Sequence, residues 1–376
     1  MVIMIDATNI SVGGGLQVSI SVITELFNNP RGKRVIYLVS SKVYEQLSIP
    51  QSLKDCVFSI DVKKRSVTSY FTYYMFMREI EKKYDVSLVF SIFGPTYWRP
   101  RRAKHLIGFA NAWLVYPDTR AYEVYSPSKR LFMKLKNVML RFMLYNKNSH
   151  YVTETNAVKD AFCETYKCSN NQIDVVQNCI SQSFNLSMDD YFSLSSIRCF
   201  KFFTVTHNYP HKNLKIIPLV GKLLKKMNFD FVFIVTFPEE QYQLLNDDFK
   251  EYTHNIGPVD VSRCRSVYDN CDALFLPTLI ECFTVSYLEA LYSNKPILTS
   301  DLDFAHDICG DAAFYFDPYN VESVVNACAK VITSKKSDCS EINNKLSRYP
   351  LLRSNFKGNE HRVSAYMNII DNLLGS

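Results

Sequence analysis

The chain has 376 residues, 47% of them hydrophobic and 21% charged, which is the balance of an ordinary globular protein and too long for one core, so two domains are expected. A formal charge of +6 is too mild to point to nucleic acid, though it suits an anionic surface or a phosphate-bearing substrate. Eleven cysteines without paired spacing fit a reducing cytosol better than a disulfide framework. Asp6 interrupts the apolar start too early for a secretory leader, and no apolar run reaches the roughly 18 residues of a membrane span. Any membrane contact is therefore expected to be peripheral.

In chain order, Val2–Ile5 reads as a buried strand, followed by Gly13-Gly14-Gly15 and a helical pattern through Leu16, Ile20, Ile23 and Phe27. Val35–Val39 and Cys56–Ile60 read as strands, Phe71–Lys83 as a helix, and Ser87–Phe90 and Leu106–Phe109 as strands. A second series starts near residue 200, with strand-like runs at Phe202–Val205, Phe231–Val235, Ala273–Leu276 and Pro296–Thr299 and helices between them. Such alternation predicts parallel α/β layers. The polar stretch Ser181–Ser196 marks the expected boundary. The domains are read as 1–185, 186–355 and a C-terminal helix, 356–376, crossing back to the first.

The segment from Asp272 to Pro318 carries the chemistry. A strand ends at Pro277, a loop presents Glu281, Cys282, Phe283 and Thr284, and a helix runs from about Val285 to Ser293 with Thr284 as its N-cap. Free N–H groups and the dipole at a helix start suit a phosphate. Carboxylates suit vicinal diols, so Glu281 and Glu289, eight positions apart, read as grips for sugar and ribose hydroxyls on one side. Spacing alone leaves open a loop charge at Glu281 and a solvated helix residue at Glu289. Similarly, Gly13–Gly15 is not GxGxxG and is equally readable as a plain strand–helix turn. His207 and His211 have zinc-pair spacing, but Asn208-Tyr209-Pro210 between them argues for a loop and against a metal.

Glu281-Cys-Phe-Thr-Val-Ser-Tyr-Leu-Glu289 resembles the E-x7-E motif of retaining glycosyltransferases of family 4, which have the GT-B fold of two Rossmann-like domains facing across a cleft. Pro277-Thr278, Gly310–Ala313, Phe316–Pro318, Val152–Thr155, Val175–Asn178, Lys212-Asn213-Leu214 and Gly13–Gly15 resemble further family segments in the family's order over nearly the whole chain. The resemblance implies that Glu289 binds the ribose and Glu281 the transferred sugar. It also implies that Phe283, Thr284, Val285 and Ser286 face the diphosphate or sugar, and that Lys212 neutralises the leaving diphosphate. Gly14 and Gly15 would approach the donor, and His207 stands where the family has Arg. Cys282 and Thr284 replace glycines. Where the family has an N-domain His this chain has Ala110-Asn111, which makes Asn111 the candidate contact.

The implied activity is metal-independent, cofactor-free hexosyl transfer from a nucleotide-diphosphate sugar to a polyprenyl-diphosphate-linked saccharide in O-antigen or capsule synthesis. The implied location is the cytoplasm, at the inner face of the membrane. Alternatives are a nucleotide-sugar epimerase or hydrolase of the same fold, and a non-catalytic nucleotide- or lipid-binding scaffold. Residues 128–147 bear Lys129, Arg130, Lys134, Lys136, Arg141 and Lys147, no acid, and interleaved apolar residues. This basic amphipathic pattern would set Lys134, Lys136 and Arg141 against anionic lipid, or else pack its apolar side on the core.

Overall fold

The computed structural model describes residues 1–60, 67–185, 192–205, 207–336 and 340–375. They form two units, each built on a wholly parallel sheet. The first unit comprises 1–117, 131–178 and 357–376, the second 118–130 and 179–356. The segment 118–130, read with the N-terminal domain from sequence, joins the second unit because Arg120 stacks its guanidinium 4.1 Å from the Tyr319 ring and the turn Arg120–Val124 packs on the turn Pro210–Lys212. The polar boundary stretch Ser181–Ser196 lies partly outside the described residues.

The first sheet contains β1 (Val2–Ala7), β2 (Arg34–Val39), β3 (Val57–Ser59), β4 (Val86–Ser91), β5 (Lys104–Gly108), β6 (His150–Thr153) and β7 (Ile173–Val175), in the order β3-β2-β1-β4-β5-β6-β7. Its strands read as continuous apolar runs because both faces are covered. The pleat sends alternate residues to opposite cores. Ile3, Ile5, Leu88 and Phe90 meet the helices Gly13–Asn28 and Asn359–Leu374, which supply Val22, Ile23, Tyr366 and Ile370. Met4, Leu38 and Val89 face Tyr73, Met77 and Trp98 instead.

Asp6 shares the second face and is fully enclosed. Its carboxyl accepts from Thr8 N and Oγ1 (3.1 and 2.8 Å), Ser91 Oγ (3.2 Å) and Trp98 Nε1 (3.1 Å). Burial still holds its proton affinity above the ordinary carboxylate range.

Gly108 ends β5 where β4 runs closest. A Cβ there would lie 1.9 Å from the Ile92 carbonyl oxygen, a backbone atom that cannot swing aside. Gly108→Ala is therefore expected to cost about 3 kcal/mol or more, read as a lowered denaturant midpoint at unchanged m-value.

The second sheet contains β8 (Phe200–Thr204), β9 (Phe231–Val235), β10 (Thr253–Asn255), β11 (Ala273–Leu276), β12 (Ile297–Ser300) and β13 (Phe314–Phe316), ordered β10-β9-β8-β11-β12-β13. The same alternation operates. Phe202, Phe233 and Phe275 pack on one face with Val220 and Leu224. Phe203, Ile234 and Leu274 pack on the other with Tyr268 and Leu288. From β8 the chain builds outward through β9 and β10, then returns to lay β11, β12 and β13 on the opposite side. The order reverses between β8 and β11, and in such sheets ligands bind beyond the carboxyl ends of the strands at that reversal.

Candidate active site at the reversal of the second sheet

Two loops leave the carboxyl ends of β8 and β11, which pair directly. The β8 loop carries the turn Pro210–Lys212 and then Asn213, whose φ of +56 is left-handed. Asparagine tolerates that conformation. Its side chain fixes the bend by donating to the Pro318 carbonyl (3.0 Å), and Leu214 anchors the far end in the core. The β11 loop is tied across to it: Leu279 N donates to the His211 carbonyl at 2.8 Å, and Thr278 Oγ1 reaches the same oxygen at 3.3 Å.

These ties bring Lys212 and Glu281 together. The Lys212 ammonium donates to Glu281 Oε1, which also accepts from Thr278 Oγ1 at 3.3 Å. Both side chains are mostly enclosed, 16% and 15% exposed, so each charge depends on the other more than a surface pair would. His211 beside them is held below its usual basicity by burial, with Glu281 acting in the opposite sense.

The β11 loop leads into the helix Val285–Tyr292, with Thr284 at the N-cap position. The Thr284 side chain makes no capping hydrogen bond. Cys282 and Ser286 are buried. The Phe283 ring is half-buried and packs against the core near Phe356 (6.5 Å between centroids).

Glu289 lies in the second turn of this helix and is nearly enclosed. Its Oε2 accepts from the Tyr268 hydroxyl at 2.6 Å. Burial pushes its carboxyl up to about 7, while the Tyr268 hydrogen bond pulls the other way. The two acids expected to act together thus have separate partners: Glu281 is held by Lys212 and Thr278, Glu289 by Tyr268.

Residues 200–349 match the family Glycosyl transferases group 1. The matched residues lie wholly within the second unit. A curated relative, the O-antigen chain mannosyltransferase RfbU of Salmonella typhimurium, is 24% identical over 222 residues, covering 57% of this chain and 60% of RfbU. The match spans less than two thirds of that relative. Among solved structures, a glycosyltransferase from Rickettsia africae superposes with a TM-score of 0.71 at 12% identity, over 99% of this chain and 98% of its own. WaaG, a glycosyltransferase involved in lipopolysaccharide biosynthesis, gives 0.66 at 16% over 98% and 99%. HepE of Anabaena in complex with UDP and glucose gives 0.67 at 12% over 99% of each. The likeness establishes the fold: α/β, two parallel-sheet Rossmann-like domains of the GT-B class.

The remaining expected residues fall as follows. His207 is exposed in the β8 loop, its ring 5.5 Å from Tyr209, which in turn stacks on His211 at 5.7 Å. Gly14 and Gly15 belong to the first unit, in the opening turn of the helix Gly13–Asn28 after β1. A Cβ on Gly14 would meet nothing within 4 Å, and one on Gly15 would touch Ile10 and Phe93 at 3.6 Å. Only Gly13 needs to be glycine for its backbone, with φ +67. Asn111, also in the first unit, is the N-cap of the short turn Ala112–Leu114 beyond β5.

Arg141 requires a correction. It does not face outward: its Nε donates to the Leu114 carbonyl (3.1 Å) and its Nη2 to that of Trp113 (3.3 Å). A guanidinium donates strongly to carbonyls at such a turn, and the Leu114 carbonyl accepts from the Tyr166 hydroxyl as well (3.2 Å).

Sequence reasoning missed Tyr268. Its helix, Val261–Asn270, shows Cys264, Val267 and Tyr268 on one buried face at helical spacing. Nothing in that spacing says that the tyrosine hydroxyl meets a carboxylate 21 positions later.

Proposed function

We propose that this chain moves a hexose from a nucleotide-diphosphate sugar, bound beyond β8 and β11, to a saccharide carried on polyprenyl diphosphate in O-antigen or capsule assembly. The transfer retains the anomeric configuration, requires no metal, and takes place at the inner face of the membrane. The observation that carries the reading is the Lys212–Glu281 pair bridging the two loops at the strand-order reversal, with the buried acid Glu289 on the helix that follows. The family match over 200–349 adds to it, as does the similarity to RfbU, an O-antigen chain mannosyltransferase, and to HepE, solved in complex with UDP and glucose.

The chemistry follows from the residue types. As the bond between the sugar carbon and the diphosphate oxygen breaks, negative charge grows on the phosphate. Lys212, exchanging Glu281 for that phosphate, stabilises it with little reorganisation. The backbone N–H groups opening the helix Val285–Tyr292 add partial positive charge on the same side. Glu281, released from Lys212, accepts from hydroxyls of the transferred sugar. Glu289 accepts from the ribose diol.

The test is product analysis with a panel of nucleotide sugars, with and without a polyprenyl-linked saccharide. Sugar is expected on the lipid only when the acceptor is present, with the donor's anomeric configuration. An altered or free sugar formed equally well without acceptor would replace this reading by epimerase or hydrolase chemistry, and no turnover of any donor would leave a scaffold.

A further inference from the structure

The helix Pro127–Leu144 contains no acidic residue. At about 100° per residue, Leu131, Phe132, Leu135, Val138, Met139 and Phe142 fall within one arc of about 120°. In a helix that packs on a core this arc would be buried. Here it is the outer face: Phe142 is 79% exposed, Phe132 65%, Leu135 63%, Leu131 61%, Met139 57% and Val138 44%. The opposite side holds the helix down, through buried Asn137 and Leu144 and through Arg141 on the Trp113 and Leu114 carbonyls. Six large apolar side chains in one contiguous stripe reach the size at which an exposed patch marks a binding surface. Lys134 and Lys136, both exposed, sit about 40° beyond its two edges, with Lys129 on the Lys136 side.

We infer that this stripe inserts into an anionic lipid bilayer surface, with the helix lying in the interfacial plane. Leu131, Phe132, Leu135, Val138, Met139 and Phe142 enter the acyl boundary, and Lys134 and Lys136 extend sideways to headgroup phosphates. The charge pattern selects this occupant. A helix with cations along both edges and no acid matches a negative plane. A second copy of the same stripe would set these lysines against their own equivalents across a two-fold axis. The inserting residues are therefore the apolar ones, with the lysines steering and holding. This inference does not depend on glycosyl transfer, since a non-catalytic protein could dock in the same way.

The experiment is sedimentation of the full chain with phosphatidylglycerol–phosphatidylethanolamine vesicles and with phosphatidylcholine vesicles. It compares the parent with the triple variant F132S/L135S/F142S and the double variant K134Q/K136Q. The parent is expected to bind the anionic vesicles and to stay free of phosphatidylcholine. The triple variant is expected to lose at least tenfold in partitioning, and the double variant about thirtyfold at low salt, from roughly fivefold per cation. All substituted side chains are exposed, so circular dichroism and nucleoside diphosphate binding measured without vesicles should be unchanged. Binding of the triple variant equal to the parent overturns the inference, as does a parent that ignores anionic vesicles. A parent dimer that dissociates in the triple variant, without any vesicle binding, would reassign the stripe to contact between copies. Nucleotide binding reports on the transferase reading separately, so the two can fail independently.

Discussion

Lys212→Met is expected to lower the rate of sugar transfer by about a hundredfold to a thousandfold, the usual loss when a preorganised group stabilising transition-state charge is removed. The same substitution strips Glu281 of its cation in a site where only 15% of that side chain meets solvent. Stability should then fall by about 1–3 kcal/mol, because a mostly enclosed charge keeps, among the described residues, the Thr278 hydroxyl as its hydrogen-bond partner. Glu281→Gln alone should destabilise similarly by orphaning the ammonium. The double variant Lys212→Met/Glu281→Gln carries neither charge and should regain most of the lost stability. It should nonetheless remain as inactive as the worse of the single variants. A thermodynamic cycle on melting, set beside one on transfer rate, separates the two roles. Near-parental transfer by Lys212→Met would remove the lysine from the chemistry and leave it a structural cation.

Glu289→Gln is expected to weaken donor binding tenfold to a hundredfold at pH 8, the difference between a charged and a neutral acceptor facing the ribose diol. The pH dependence is the sharper signature. With its carboxyl pushed up to about 7, Glu289 of the parent is ionised at pH 8 and largely protonated at pH 6. Parent affinity for the nucleotide should therefore fall about tenfold for each pH unit below 7, whereas the glutamine variant stays flat. Stability moves the opposite way. An acid whose folded value lies above its unfolded value binds more protons when folded, so its contribution is fully present below about 4.5 and is lost as pH rises through 7. Replacing it removes that loss. The variant should be more stable than the parent at pH 8 by roughly 3 kcal/mol, with the two converging by pH 5. A protein that holds such a group uses it for more than stability. Equal melting of parent and variant at pH 8 would mean that the carboxylate is not strained by burial.

What could be read from the sequence follows from which forces are local. The strands of both sheets are apolar runs because each is buried on two faces, and that pattern survives in one dimension: Val2–Ala7, Phe231–Val235 and Ala273–Leu276 fall where the runs fall. The short strand Thr253–Asn255 carries no such run, because it is an edge strand bearing His254 and Asn255, and it passed unread. The helix Val285–Tyr292 and its N-cap position were legible from the strand end at Pro277 and from Thr284, since turns depend on neighbouring residues. The Lys212–Glu281 contact was not. It spans 69 positions and exists because the β8 and β11 loops are stitched through the His211 carbonyl, a backbone link that leaves no trace in side-chain identity. Arg141 illustrates the reverse error. As a member of a basic series it reads as a charge facing anionic lipid, but two carbonyls from a turn 27 and 28 positions earlier claim it. The apolar stripe on the same helix shows the limit of periodicity itself, which reports that a face is apolar without saying whether protein or something else covers it.

Calorimetric titration with uridine, guanosine, adenosine and thymidine diphosphates tests most directly whether the β8 and β11 loops grip a nucleotide. One of them should bind the parent with a dissociation constant of about micromolar order, near −8 kcal/mol, and that constant should rise at least tenfold in both Lys212→Met and Glu289→Gln. The account is contradicted if none binds at millimolar concentration, or if the one that binds does so equally well in both variants.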